Sequence, residues 1–116
     1  MSAPPLVPRQ FDIWWVWLPD PIGRRPVLLI SRDSAYGYLT TVLVAEVTTK
    51  ARGIPQQLPL GAREGLPRAC VANLDALRPV RRDDLVTRIG ALASARHVEV
   101  KRALGHVLAW PELTSL

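Results

Sequence analysis

Thirteen of the fifteen basic residues are arginine, set against ten Asp and Glu for a net charge of +5. A guanidinium stays charged and grips phosphate or carboxylate with a planar fork, so this excess points to a polyanionic partner, either a nucleic acid or an acidic protein segment. The basic residues recur as Arg24-Arg25 before Pro26, as a turn running from Lys50 through Arg52 to Gly53, and as Arg81-Arg82 before Asp83-Asp84. In an extended segment Trp15 and Trp17 share one face and Trp14 takes the other. Exposed indoles stack unpaired bases, whereas buried ones fill a core or a dimer interface. Histidine offers no pair for proton transfer: His106 falls opposite an apolar helical stripe and His97 near its edge, as ordinary helix residues do. The single cysteine, Cys70, excludes an internal disulfide framework and a cysteine-based zinc site. In its apolar stretch it reads as a small buried hydrophobe.

Something must hold these groups in place. Asp12 to Leu18 is aromatic and β-branched and stops at Pro19-Asp20-Pro21, a strand running into a turn. Further strands are expected at 27–31, 40–48, 56–60 and 69–74, with a short one at 78–80. A polar loop carries Tyr36, Gly37 and Tyr38, and another loop spans 61–67. A short helix is expected to begin within 83–87. The period then changes: Val100, Ala103, Leu104, Val107 and Leu108 form one apolar stripe of a helix, with Ser94 placed as its N-cap and Pro111 just past its end. Residues 1–10 read as a loose arm, 11–110 as the domain and 111–116 as a tail. The fold expected is mainly β with helices (α+β), a small antiparallel sheet, partly closed as a barrel, with a C-terminal helix packed on it.

A length of 116 residues fits one domain, and 48% apolar with 22% charged residues excludes a disordered tail, a fibre and a coiled coil. Apolar runs such as 27–30 fall far short of the roughly 20 residues of a membrane span. Prolines 4, 5 and 8 stand where a signal peptide would carry its apolar stretch. A cytoplasmic protein with no membrane partner is therefore expected.

The phrases Asp12-Ile13-Trp14 with Val16 and Leu18, Arg25-Pro26-Val27-Leu28-Leu29-Ile30-Ser31-Arg32-Asp33, and Thr41-Val42-Leu43-Val44-Ala45 with Val47-Thr48-Thr49-Lys50 occur in an order that resembles the PemK/MazF toxin family. So do Arg52-Gly53-Ile54-Pro55, Gly65-Leu66-Pro67, Val71-Ala72-Asn73-Leu74-Asp75-Ala76-Leu77-Arg78 and the helix at 98–108. The resemblance runs from about Gln10 to Leu108. It implies an SH3-like, CcdB-like barrel, a homodimer, and a toxin neutralised by a cognate antitoxin whose acidic segment crosses the basic groove, the pair also binding DNA. It further implies an endoribonuclease that needs no metal or other cofactor. Single-stranded RNA is cut by attack of the 2′-hydroxyl on the adjacent phosphate, giving 2′,3′-cyclic phosphate and 5′-hydroxyl ends.

The resemblance assigns catalysis to Arg25, in the Arg-Pro motif, and to Thr48, at the end of the third strand. Arg24 and Thr49 are accessory candidates, and Lys50, Arg52, Trp17, Arg81 and Arg82 are candidates for RNA binding. The chain departs from the family in three ways. The loop at 19–24 is short and lacks the family's Gly-x-Glu; Phe11 and Trp17 replace a usual glycine and an acidic residue; Glu46 stands where proline is common. Positions 46 and 48 share a strand face, so Glu46 either replaces the missing glutamate, as base or by holding Arg25, or pairs with Lys50 or Arg52 at the surface. A gyrase-binding toxin of the same fold and a degenerate homologue that binds RNA or antitoxin are the alternatives.

Overall fold

The computed structural model describes residues 6–116. Six strands, β1 (Asp12–Leu18), β2 (Gly23–Leu29), β3 (Thr41–Thr48), β4 (Gln57–Leu60), β5 (Cys70–Arg81) and β6 (Leu85–Ala91), precede the helices α1 (His97–Leu108) and α2 (Pro111–Thr114). The strands form one curled antiparallel sheet in the order β4-β5-β3-β2-β1-β6. This is the expected class, a mainly β half-barrel with a C-terminal helix.

Alternation along the strands builds two cores. Ile13, Leu28, Ala45, Val47 and Leu74 point to the face covered by α1, which contributes Val100 and Ala103. Trp14, Val16, Val27, Leu29, Val42 and Val44 point to the other face, closed by Ala35 and Tyr36. Full burial of each such side chain stabilises the fold by about 1.5–3 kcal/mol. Tyr36 stays neutral because burial and the nearby charges of Asp12 and Asp33 push its phenol above its ordinary range, and its hydroxyl donates to the Ser31 carbonyl at 3.0 Å.

Several local expectations are corrected. The second strand begins at Gly23 rather than 27 and ends at Leu29, so Arg24 and Arg25 lie in the sheet and not in a loop. The two short strands at 69–74 and 78–80 are one long strand, β5. Its register against β3 jumps from Ala45↔Leu77 to Glu46↔Asn73, so residues 74–76 bulge out between them. The helix expected in 83–87 is a 3-10 turn, Arg82–Asp84, followed by β6, because Leu85 to Ala91 find a free edge on β1. The loop around Tyr36 is a 3-10 turn, Asp33–Gly37. Ser94 opens another 3-10 turn and makes no side-chain cap to α1.

Of the expected arm at 1–10, residues 1–5 lie outside the described residues. Arg9 and Gln10 are tied down: the Arg9 amide donates to Asp12 at 3.0 Å and the Gln10 amide to Asp33 at 2.7 Å. Phe11 occupies the left-handed region at φ 68°, a conformation that glycine adopts at no steric cost and that a residue with a Cβ adopts under strain. The strain of about 1–2 kcal/mol is offset by burial of the ring and its packing on His97, 4.5 Å between centroids. Gly90 lets the turn Ala62–Glu64 press on β6, since a Cβ there would stand 2.1 Å from the Glu64 carbonyl oxygen. Gly105 likewise seats α2, which turns most of the tail into a docked helical turn.

Candidate nucleic-acid interface

The ladder between β2 and β3 runs only from Val27↔Glu46 to Leu29↔Val44. Pro26, the next residue of β2, has no N–H to donate, so an interior strand loses its partner there. Beyond that point β2 and β3 diverge and a groove of about 690 Å³ opens between them. Arg24, Arg25 and Pro26 line one wall; Glu46, Thr48, Thr49 and Lys50 line the other; Arg68 and Cys70 enter from the start of β5. Both residues that the resemblance makes catalytic, Arg25 and Thr48, and all three accessory candidates, Arg24, Glu46 and Thr49, therefore meet in one place.

The charges in this groove are free. Among the described residues, Arg24, Arg25, Lys50 and Arg68 have no carboxylate partner. The one lining carboxylate, Glu46, is held by Arg78 at 3.8 Å, and not by Arg25, Lys50 or Arg52. Arg24 lies over the Trp15 ring, 4.6 Å from its centroid, so its position is set by a cation–π contact while Arg25 keeps its whole fork available. Thr48 accepts the Lys50 amide at 3.2 Å, which leaves its hydroxyl proton free to donate into the groove.

A smaller hollow of about 210 Å³ adjoins the groove, sharing Glu46, Thr48 and Lys50 with it and adding Arg52, Gln57, Asn73 and Ala76. Gln57 is buried and both ends of its amide are spent on the basic turn: Oε1 accepts the Arg52 amide at 2.7 Å and Nε2 donates to the Lys50 carbonyl at 3.4 Å. Arg52 thus reaches the smaller hollow.

Three RNA-binding candidates sit elsewhere. Trp17 is 56% exposed and faces Arg24 across the β1–β2 ladder, on the rim rather than among the lining residues. Arg81 ends β5 opposite Thr41, the far end of β3 from Thr48, and Arg82 is paired with Asp83 at 3.5 Å. The three tryptophans divide as expected: Trp14 is buried, with its indole N–H donating to Asp12 at 3.1 Å, while Trp15 and Trp17 share the wetter face. Cys70 is half-buried rather than buried: it packs against the core as the small hydrophobe expected, and it also lines the groove, with its thiol donating to the Arg68 carbonyl at 3.3 Å. Sequence reasoning missed Arg68, Arg78 and Asn73. Asn73 and Arg78 arrive through the long-range pairing of β5 with β3, and Arg68 stands in the loop just before β5; no local signal marks any of the three.

Residues 9–108 match the family model described as the PemK-like, MazF-like toxin of type II toxin–antitoxin systems. The chain belongs to the PemK/MazF family. The match takes in every residue of the groove. Among curated relatives, MazF5 of Mycobacterium tuberculosis, named a probable endoribonuclease, is 37% identical over 99 residues, covering 84% of this chain and 90% of that protein. Endoribonuclease MazF3 of the same species is 33% identical over 82 residues, 71% of this chain and 80% of that one. Among solved PemK/MazF structures, the M. tuberculosis toxin MazF-mt6 superposes with a TM-score of 0.79 at 30% identity, over 84% of this chain and 96% of that one. A MazE–MazF structure from Deinococcus radiodurans gives a TM-score of 0.73 at 26% identity, over 90% and 98% of the two chains.

Proposed function

We propose that this chain is the toxin of a toxin–antitoxin pair and an endoribonuclease that cuts single-stranded RNA in the groove between β2 and β3. The observation that carries the reading is the convergence of Arg25 and Thr48, with Lys50 and Arg68, as unneutralised donors in one groove of a PemK/MazF chain. Support comes from relatives named as endoribonucleases and from the MazE–MazF likeness.

The 2′-hydroxyl gives its proton to water as its oxygen attacks the adjacent phosphorus; the cyclic diester forms as the bond to the 5′-oxygen breaks, and that oxygen takes a proton from water to leave as a hydroxyl. Negative charge builds on the non-bridging oxygens, so fixed donors aimed at them stabilise the transition state more than the ground state. Arg25 supplies two parallel N–H groups and a permanent charge, and its guanidinium hardly deprotonates. Its role is therefore electrostatic. Thr48 adds a hydroxyl from a β-branched side chain stiff at χ1. Lys50, Arg52 and Arg68 hold flanking phosphates, and Trp15 and Trp17 offer faces on which unpaired bases stack. An antitoxin with an acidic segment would occupy the same cations and so block the substrate. The chain acts as a homodimer in the cytoplasm under this reading; the described residues contain no helix long and apolar enough to cross a membrane.

The test is incubation of the purified protein with a long RNA in EDTA, followed by mapping of the new ends. Cyclic-phosphate ends that vanish with Arg25→Ala and with a 2′-deoxy sugar at the cut site are expected. RNA that stays intact, or cleavage undiminished in Arg25→Ala, overturns the reading.

A further inference from the structure

Asn73 and Glu46 are direct partners in the β3–β5 ladder, at the point where the register jumps. Side chains of such a pair leave the same face of the sheet side by side, and both line the smaller hollow next to Thr48. The Asn73 amide is oriented by its own chain: Oδ1 accepts the Asp75 amide at 3.1 Å, in the bulge that follows. That bond leaves Nδ2, a pure donor, without a partner among the described residues. Gln57, by contrast, has both ends of its amide engaged and is a wall of the hollow. Glu46 is an acceptor only, and the Arg78 guanidinium at 3.8 Å offsets its charge, so a carboxylate can stand in an RNA-binding surface without repelling phosphate.

We propose that Asn73 and Glu46 form the base-reading subsite of this nuclease: a fixed donor beside a fixed acceptor that recognises the hydrogen-bonding edge of one unpaired base flanking the scissile phosphate. The inference rests on the RNA-cleaving reading above and deepens it by naming specificity-determining residues. Every nucleobase carries a donor next to an acceptor on its Watson–Crick edge, and a sugar fixed by the cations decides which base presents that pair in the right order. Guanine alone also carries two adjacent donors, N1–H and the N2 amino group. Asn73→Asp keeps an oxygen for the Asp75 amide and turns the donor–acceptor pair into two acceptors. The variant should therefore select guanine at this position.

Two measurements test this. Cleavage-site maps of wild type and Asn73→Asp should differ at one position, with guanine enriched about tenfold, and agree at the others. Affinities for uncleavable 2′-deoxy uracil heptamers with a single central guanine, adenine or cytosine should shift about tenfold toward guanine in the variant. Glu46→Gln, which removes the charge and keeps the shape, should blunt discrimination at that same position and serves if Asn73→Asp fails to fold. Wild-type cleavage with unaltered base preference in both variants overturns the subsite and leaves the nuclease reading standing. Binding preferences that shift as stated in a protein that cuts no RNA support the subsite and overturn the nuclease reading. A wild type that neither binds nor cuts these RNAs overturns both.

Discussion

The groove between β2 and β3 and the hollow of about 540 Å³ beside β6 are both lined with arginine, yet the two use it differently. Beside β6, Arg88 is 3.5 Å from Asp12, which is 7% exposed and also accepts the Arg9 amide and the Trp14 indole N–H. Arg82 is 3.5 Å from Asp83 and donates to the Tyr36 carbonyl. In the groove, Arg24, Arg25, Lys50 and Arg68 have no carboxylate to neutralise them among the described residues. A net charge of +5 does not distinguish these cases; placement does. Where acids are interleaved the guanidiniums are spent within the fold, Arg88 on Asp12 of β1 and Arg82 on Asp83 and the Tyr36 carbonyl, and where acids are withheld the field is left for a substrate.

Reciprocal substitutions break or sharpen this contrast, and the largest effect is expected in the groove. Arg25→Ala should lower RNA cleavage by about 10²–10³-fold while the unfolding midpoint in urea stays within error of wild type. Arg88→Gln should do the reverse, leaving cleavage intact and lowering stability by about 1–2 kcal/mol, because Asp12 stays buried with only neutral donors. If Arg88→Gln abolishes cleavage in a folded protein, the division into free and spent cations is wrong. Thr48→Val, which keeps the branched shape and removes one hydroxyl donor, should cost about tenfold in rate.

Salt gives a finer comparison. Each phosphate contact to single-stranded RNA contributes about 0.7 to the slope of log affinity against log salt. Lys50→Gln and Arg68→Gln should each flatten that slope by about this amount, measured by fluorescence anisotropy across a salt series. Arg82→Gln should leave it unchanged, since its charge already serves Asp83. Equal flattening by all three would extend the substrate path to β6.

The contrast also marks what the residues could reveal before the chain was folded. β1 was legible end to end because Asp12 to Leu18 is aromatic and β-branched and stops at Pro19, and α1 because its stripe repeats at helical spacing. The Arg25 and Thr48 pair became legible through family phrases, since nothing local sets Arg25 apart from Arg81. β6 was not legible: Leu85 to Ala91 carries weak alternation and becomes a strand because β1 offers an unpaired edge. Asn73 and Arg78 were hidden for a related reason. Their proximity to Glu46 depends on a bulge in β5, and a shift of register leaves no trace in composition or period.

The smallest effect concerns a third set of charges, at the turn whose neighbours wall the groove. Arg96 donates to Glu99 at 2.8 Å and to the Pro59 carbonyl at 2.7 Å, and stands 3.6 Å from Glu64, whose carboxylate accepts the Gly61 amide. The hydrogen bond from Arg96 holds the Glu99 carboxyl below its ordinary range. A carboxyl with a lowered folded pKa adds stability above its unfolded value, about 4.3, and loses it as pH falls through the lower folded value. The pair is partly open to water, so the contribution is at most about 1 kcal/mol. Glu99→Gln should therefore be slightly less stable than wild type at pH 7 and equal to it at the acid end, with the two urea midpoints converging below about pH 4. Midpoints that stay parallel through that window would show that Arg96 is held by Glu64 and Pro59 alone.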